Sequence, residues 1–90
     1  MTLLGLRPDL VDKAEFFKAL GDVNRLRILV LLRDAPRCVT DLVGALETPQ
    51  ATVSHHLKIL RRAGLVVAEK QGRENYYRLT LLAEARHGIF

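Results

Sequence analysis

A short amphipathic helix between Pro49 and Gly64 is the feature that most restricts the fold of this chain. Pro suits the first turn of a helix and Gly suits its C-terminal end, so the helix is predicted from about Pro49 to Ala63, with the Thr48 hydroxyl as its cap. Its apolar residues recur at helical spacing and predict one buried stripe. They are Val53, Leu57 and Leu60.

The opposite side of this helix is polar and basic. Short polar side chains near the start of a helix can reach the edges of DNA bases, and Lys or Arg further along can meet phosphates. This pattern predicts a DNA-reading face. Its candidate residues are Gln50, Thr52, Ser54, His55, Lys58 and Arg62.

Three helices are predicted before the reading helix. The first runs from about Pro8 to Leu20 and stops at Gly21. The second runs from Val23 to about Arg33 behind an Asp22 cap. It is apolar almost all round, which favours a buried central helix. A third, short helix is predicted after Thr40, which supplies its capping hydroxyl.

Two strands are predicted after the reading helix, Leu65 to Lys70 and Glu74 to Leu79, joined by a turn at Gln71–Arg73. A short C-terminal helix is predicted within Thr80–Phe90. The fold class is therefore mainly α with a small β-hairpin, in the order α-α-α-α-β-β and a short closing helix. This order predicts a single winged helix-turn-helix domain over residues 1–90.

The net charge of +4 is concentrated in one segment. Residues 1–49 are balanced, whereas residues 50–78 hold six Lys or Arg against two Glu. Lys70 and Arg73 lie near the predicted wing tip, where they can reach the DNA backbone or minor groove. This distribution predicts double-stranded DNA as the partner. A solvated basic face without a partner, or a winged helix that docks a protein, is the alternative.

Composition excludes several other classes. The longest apolar stretch, Ile28–Leu32, is too short to cross a membrane, and no secretory signal pattern is present. A lone cysteine, Cys38, permits no intramolecular disulfide and fits a reducing cytosol, so a cytoplasmic location is expected. Ser54, His55 and His56 are adjacent on a helix and diverge, which gives no catalytic constellation. The chain is expected not to be an enzyme.

Four stretches resemble the ArsR/SmtB family of winged-helix repressors. They are FKALGDVNRLRILVLL (Phe17–Leu32), CVTDL (Cys38–Leu42), QATVSHHLKILRRAGLV (Gln50–Val66) and KQGRENYYRL (Lys70–Leu79). The resemblance implies a homodimer that binds an inverted-repeat operator and represses transcription until an effector releases it. By position, it implies base or phosphate contacts for Gln50, Ser54 and His55.

Two positions depart from the family pattern. Ala51 lies where a hydroxyl residue is frequent, so one family contact is expected to be missing. Glu47 lies where glycine is usual, and a positive φ there would strain it. We expect His56 beside the core or the third helix. The dimer is expected to use Leu3, Leu4, Leu6 and one of the adjacent Phe16 and Phe17.

The family's usual effector ligands are incomplete. Arsenic-sensing members carry Cys-Val-Cys where this chain has Cys38-Val39-Thr40, and the Asp-x-His pair of metal-sensing members falls on Leu81 and Ala83. No metal site or cofactor is therefore predicted, and Cys38, Glu84 and His87 are the only candidate ligands. A metal or metalloid, a redox signal, or constitutive binding without any effector all remain open.

Overall fold

The computed structural model describes residues 8–81 and 83. Over residues 8–79 the chain forms four helices and three strands, and Leu81 and Ala83 after them are also helical. In chain order they are α1 (Pro8–Leu20), α2 (Val23–Asp34), β1 (Arg37–Cys38), α3 (Val39–Leu46), α4 (Gln50–Arg62), β2 (Val66–Gln71) and β3 (Glu74–Leu79). The predicted mainly α architecture with a hairpin is confirmed.

The boundary between α1 and α2 lies where local capping predicts it. The carboxylate of Asp22 accepts hydrogen bonds from the backbone N–H groups of Asn24, at 2.8 Å, and Arg25, at 3.2 Å. These bonds satisfy two of the free N–H groups at the start of α2. The side chain of Asp22 therefore fixes the start of α2.

Helix α2 contributes three residues to the core, but it is buried on one side only, although its sequence is apolar almost all round. Ile28, Leu29 and Leu32 lie in the core. Val23 and Val30 on the opposite side are 61% and 45% exposed. In this small fold, no described element covers that side of the helix.

The predicted caps of α3 and α4 are wrong. Helix α3 begins directly after β1, so Cys38 is its N-cap and Thr40 lies inside the first turn. Helix α4 begins at Gln50 with Pro49 as its N-cap. The hydroxyl of Thr48 donates instead to the carbonyl of Leu46, at 3.0 Å, because the chain turns back toward α3 at this point.

The hairpin is confirmed, with β2 shifted by one residue from its predicted ends. Gly72 takes a φ of 65° in the turn, which glycine adopts without strain. Strand β1 was not predicted. It pairs antiparallel with β3, Arg37 opposite Tyr77 and Cys38 opposite Tyr76, which gives the sheet order β1-β3-β2.

One hydrophobic cluster joins these elements. Its buried members are Ala19, Ile28, Leu29, Leu32, Leu42, Val53, Leu57, Leu60, Leu65, Val66, Tyr77, Leu79 and Ala83. The predicted C-terminal helix lies largely outside the described residues, and Leu3, Leu4 and Leu6 lie wholly outside them. None of the described helices is long and apolar enough to span a bilayer.

Candidate nucleic-acid interface

Helix α4 is anchored on one side and open on the other. The predicted stripe of Val53, Leu57 and Leu60 is buried, and His56 joins it at 7% exposure. The other side faces solvent over the whole length of the helix. Its exposed residues are Gln50, Ala51, Thr52, Ser54, His55, Lys58, Arg61 and Arg62. The six predicted candidates on α4 therefore share one accessible surface.

The turn between α3 and α4 contains a residue in the left-handed region. Glu47 has φ 51° and ψ 46°, and its N–H donates to the carbonyl of Val43. A side chain in this conformation is strained, which is why glycine is common there. The structure confirms that position 47 needs a positive φ. The exposed Glu47 carboxylate lies two residues before Pro49, close to the start of the reading helix.

The wing carries two predicted cations near its tip. Lys70 is opposite Asn75 in the hairpin, and Arg73 lies in the turn after Gly72. Both side chains are exposed. Within residues 8–81, no ion pair with a described acid involves Lys58, Arg62, Lys70 or Arg73. Their positive charge is therefore not offset by a contact with a described carboxylate.

Histidines 55 and 56 occupy different environments. His55 is exposed on the outer face of α4, as predicted. The ring of His56 is buried, and its Nδ1 lies 3.2 Å from a guanidinium nitrogen of Arg25 on α2. Burial lowers the pKa of His56; Arg25 and His55 lower it further, and Asp22 opposes them. Burial of His56 was predicted. Its contact with Arg25 was not, because the two residues lie far apart in sequence and no local sequence pattern links them.

The candidate metal ligands do not form a site in the described structure. Cys38 is 4% exposed, and burial raises the pKa of its thiol. The N–H of Asp41 opposes that shift, while the carboxyl groups of Glu74 and Asp41 add to it. A protonated, buried thiol is a poor metal ligand. Glu84 and His87 lie outside the described residues. Among the residues that the structure describes, no three His, Cys, Asp or Glu side chains gather closely enough to hold a metal ion.

The arrangement of α3, α4 and the basic hairpin defines a winged helix-turn-helix DNA-binding protein. Residues 22–67 match the family described as "Bacterial regulatory protein, arsR family". The chain therefore belongs to the ArsR family of transcriptional regulators, as the resemblance implied.

Known proteins of this kind are similar over most of the chain. The uncharacterised HTH-type transcriptional regulator MJ1325 of Methanocaldococcus jannaschii is 51% identical over 65 residues, which cover 71% of this chain and 73% of the relative. The HTH-type transcriptional repressor SmtB of Mycobacterium tuberculosis is 49% identical over 72 residues, covering 79% of this chain and 53% of SmtB. The chain thus spans about half the length of that repressor.

A solved structure gives the same fold. The homodimeric winged helix-turn-helix DNA-binding domain Mb0332 from Mycobacterium bovis superposes with a TM-score of 0.84 at 30% identity. The superposition covers 98% of this chain and 80% of that domain. Its description as a possible ArsR-family regulator agrees with the family match.

Proposed function

We propose that this protein is a non-enzymatic transcriptional repressor that binds operator DNA as a homodimer, with α4 in the major groove. The observation that carries the proposal is the exposed polar and basic face of α4, which is held outward by a fully buried stripe on the other side. A rigidly seated helix with a polar outer face suits base recognition. We also propose that it acts in the cytoplasm, which is supported by its membership of a family of bacterial regulatory proteins.

Each part of the face has a role in the proposal. Gln50, Thr52, Ser54 and His55 lie in the first half of α4, where the short polar side chains and His55 reach base edges. The longer cations further along the helix and on the wing hold phosphates. These are Lys58, Arg62, Lys70 and Arg73. The exposed methyl group of Ala51 offers no hydrogen bond, but it can contact the methyl group of thymine.

Dimerisation is supported by α1. Leu10, Val11 and Phe17 on this helix are all substantially exposed, and Phe17 is 63% exposed. Phe16, beside it, packs against the core instead. Exposed large apolar residues on one helix are typical of an interface. The homodimeric state of Mb0332 also supports a second copy as the partner.

The identity of the effector is left open in this proposal. Because the described residues do not supply a metal-binding set, release by a metal is not assigned to them. The proposal therefore leaves a metal or metalloid effector, a redox signal and constitutive binding as alternatives.

A DNA titration tests the proposal. Duplexes selected from a random pool are titrated at about 50 and about 200 mM salt, and binding through several phosphates predicts a loss of affinity of orders of magnitude at the higher salt. Affinity that is absent, or that is insensitive to salt, would support a protein-docking module instead.

Three alanine variants assign the face. Lys58→Ala should weaken binding to selected and random duplexes alike, whereas Gln50→Ala should change the preferred sequence. Arg27→Ala is the matched control, since Arg27 is an exposed cation on α2, outside the helix-turn-helix, the wing and the proposed dimer face of α1. If the first two variants behave like the control, the reading face is wrongly assigned.

A further inference from the structure

One arginine joins α1, α2 and the reading helix. The Nε of Arg25 on α2 donates to the carbonyl of Ala19, at 2.8 Å, and one Nη donates to the carbonyl of Lys18, at 3.1 Å. The other Nη lies 3.2 Å from Nδ1 of His56 on α4. The fork of the guanidinium group thus ties the C-terminal end of α1 to the buried side of the reading helix.

The chemistry of this contact fixes the proton of His56. A guanidinium group can only donate hydrogen bonds, so Nδ1 of His56 must be the acceptor and carry no proton. The ring is then neutral, with its proton on Nε2. That nitrogen lies 4.0 Å from Oδ1 of Asp22, the same oxygen that caps α2. A second proton, on Nδ1, would be directed at the positively charged guanidinium group of Arg25.

The charged groups around His56 oppose one another. Arg25 and Asp22 face it from the start of α2, and His55 adjoins it on α4. At 7% exposure the ring has little access to water, so the charged form is costly. The Asp22 carboxylate would attract a protonated His56 ring. The Arg25 guanidinium group, which lies within hydrogen-bonding distance of Nδ1, would repel it. Protonation would exchange the Arg25 contact for an Asp22 contact and loosen α4 from α1.

We propose that Arg25 and His56 are positioning residues for DNA recognition, which hold α4 at a fixed angle to α1 only while His56 is neutral. This inference rests on the proposed function. In a homodimer joined through α1, that angle sets the separation of the two reading helices and hence the fit to two half-sites. Operator binding should therefore depend on the link more than binding to random DNA does.

A direct measurement tests the contact without DNA. Nitrogen-15 NMR of the imidazole rings at about pH 7.5 should show an Nε2–H tautomer for His56, with an unprotonated Nδ1. An Nδ1–H tautomer or a charged ring at that pH would overturn the proposal. This readout does not depend on whether the protein binds DNA, so it separates failure of the link from failure of the proposed function.

The functional test follows operator affinity from about pH 7.5 down to about pH 4.5 at constant ionic strength, since the pKa of His56 is lowered, with folding checked by circular dichroism. A His55→Asn background, with a duplex selected for binding to that variant, removes the titration of the exposed histidine on the same helix. In that background a selected duplex should lose affinity in acid, by at most about tenfold per pH unit for one linked proton. A random duplex should lose less.

When His56→Asn is added, the Asn side chain keeps an acceptor near the position of Nδ1 but cannot titrate. The loss of operator affinity in acid should therefore disappear. A loss of equal size in this double variant would overturn the proposal.

Arg25→Lys provides a second test, because a single ammonium group cannot hold two carbonyls and a ring at once. It should weaken operator binding at about pH 7.5 more than binding to random DNA, and equal losses would contradict a positioning role. If the unaltered protein binds no DNA at all, the proposed function fails and the positioning role fails with it.

Discussion

Glu69 on β2 accepts a hydrogen bond from the Nε of Arg78 on β3, diagonally across the hairpin. Both side chains are half exposed. The pair divides the cations of the wing into two kinds, because Arg78 is offset by a carboxylate, whereas Arg73 at the turn has no ion pair with a described acid.

This division predicts different salt dependences for two arginine variants. Arg73→Gln should reduce the slope of log affinity against log salt by about 1, because one phosphate contact is lost. Arg78→Gln removes the same charge but should change the slope less, since Glu69 already neutralises it. Titrations of one duplex over a salt series measure both, and equal slopes would show that Arg78 also meets DNA.

Glu47 provides a stability prediction. With φ at 51° it is strained, so Glu47→Gly should stabilise the fold by up to about 1 kcal/mol, after the greater freedom of glycine in the unfolded chain is taken into account. Ala45→Gly, at an exposed position of α3, is the control and should destabilise by about 1 kcal/mol. Urea unfolding of the two variants should shift in opposite directions. Destabilisation by both would mean that the strain at Glu47 is negligible.

Phe17 tests the proposed dimer. Phe17→Glu places a charge on the exposed side of α1, where burial against a second copy would be costly. Light scattering should then show a monomer, and binding to a two-half-site duplex should weaken. Val30→Glu alters an exposed apolar residue of α2 and should leave the dimer intact. A dimer in both variants would place the interface away from the exposed face of α1.

The chemistry of Cys38 can be checked with a thiol reagent. A thiol that is 4% exposed, and whose pKa burial raises, holds little thiolate at neutral pH, so modification of the folded protein should be slow. Cys38 is the only cysteine in the chain, so the same reaction in urea is a complete internal control. Equally fast modification in both states would show an accessible, activated thiol and reopen the redox alternative.

Local rules predicted much of the fold. The Asp22 side chain caps α2 by accepting hydrogen bonds from backbone N–H groups of its first turn. Gly64, with a φ of 77°, lies in the turn that follows α4. The stripe of Val53, Leu57 and Leu60 could be predicted from spacing alone, because helical periodicity places such residues on one side. For the same reason the exposed candidates on α4 were identified before the structure, although their contacts with DNA stay predictions.

The predictions that were wrong depend either on contacts between residues distant in sequence or on a backbone direction that the sequence does not indicate. Strand β1 has two residues, too few for any periodicity, and exists because β3 pairs with it. That strand moves the start of α3 to Val39, so Thr40 does not cap it. The hydroxyl of Thr48 turns toward Leu46 because the chain reverses at Glu47.

The sequence by itself determined four helices and a hairpin, their order, the family and the outward face of the reading helix. Each of these depends on residues within a few positions of one another or on a pattern along one segment. Only the tertiary structure decided which side of α2 is left uncovered, that β1 completes the sheet, and that Arg25 meets His56. These three outcomes depend on distant segments coming together, since burial, strand pairing and the donor geometry of a guanidinium group are properties of the folded chain.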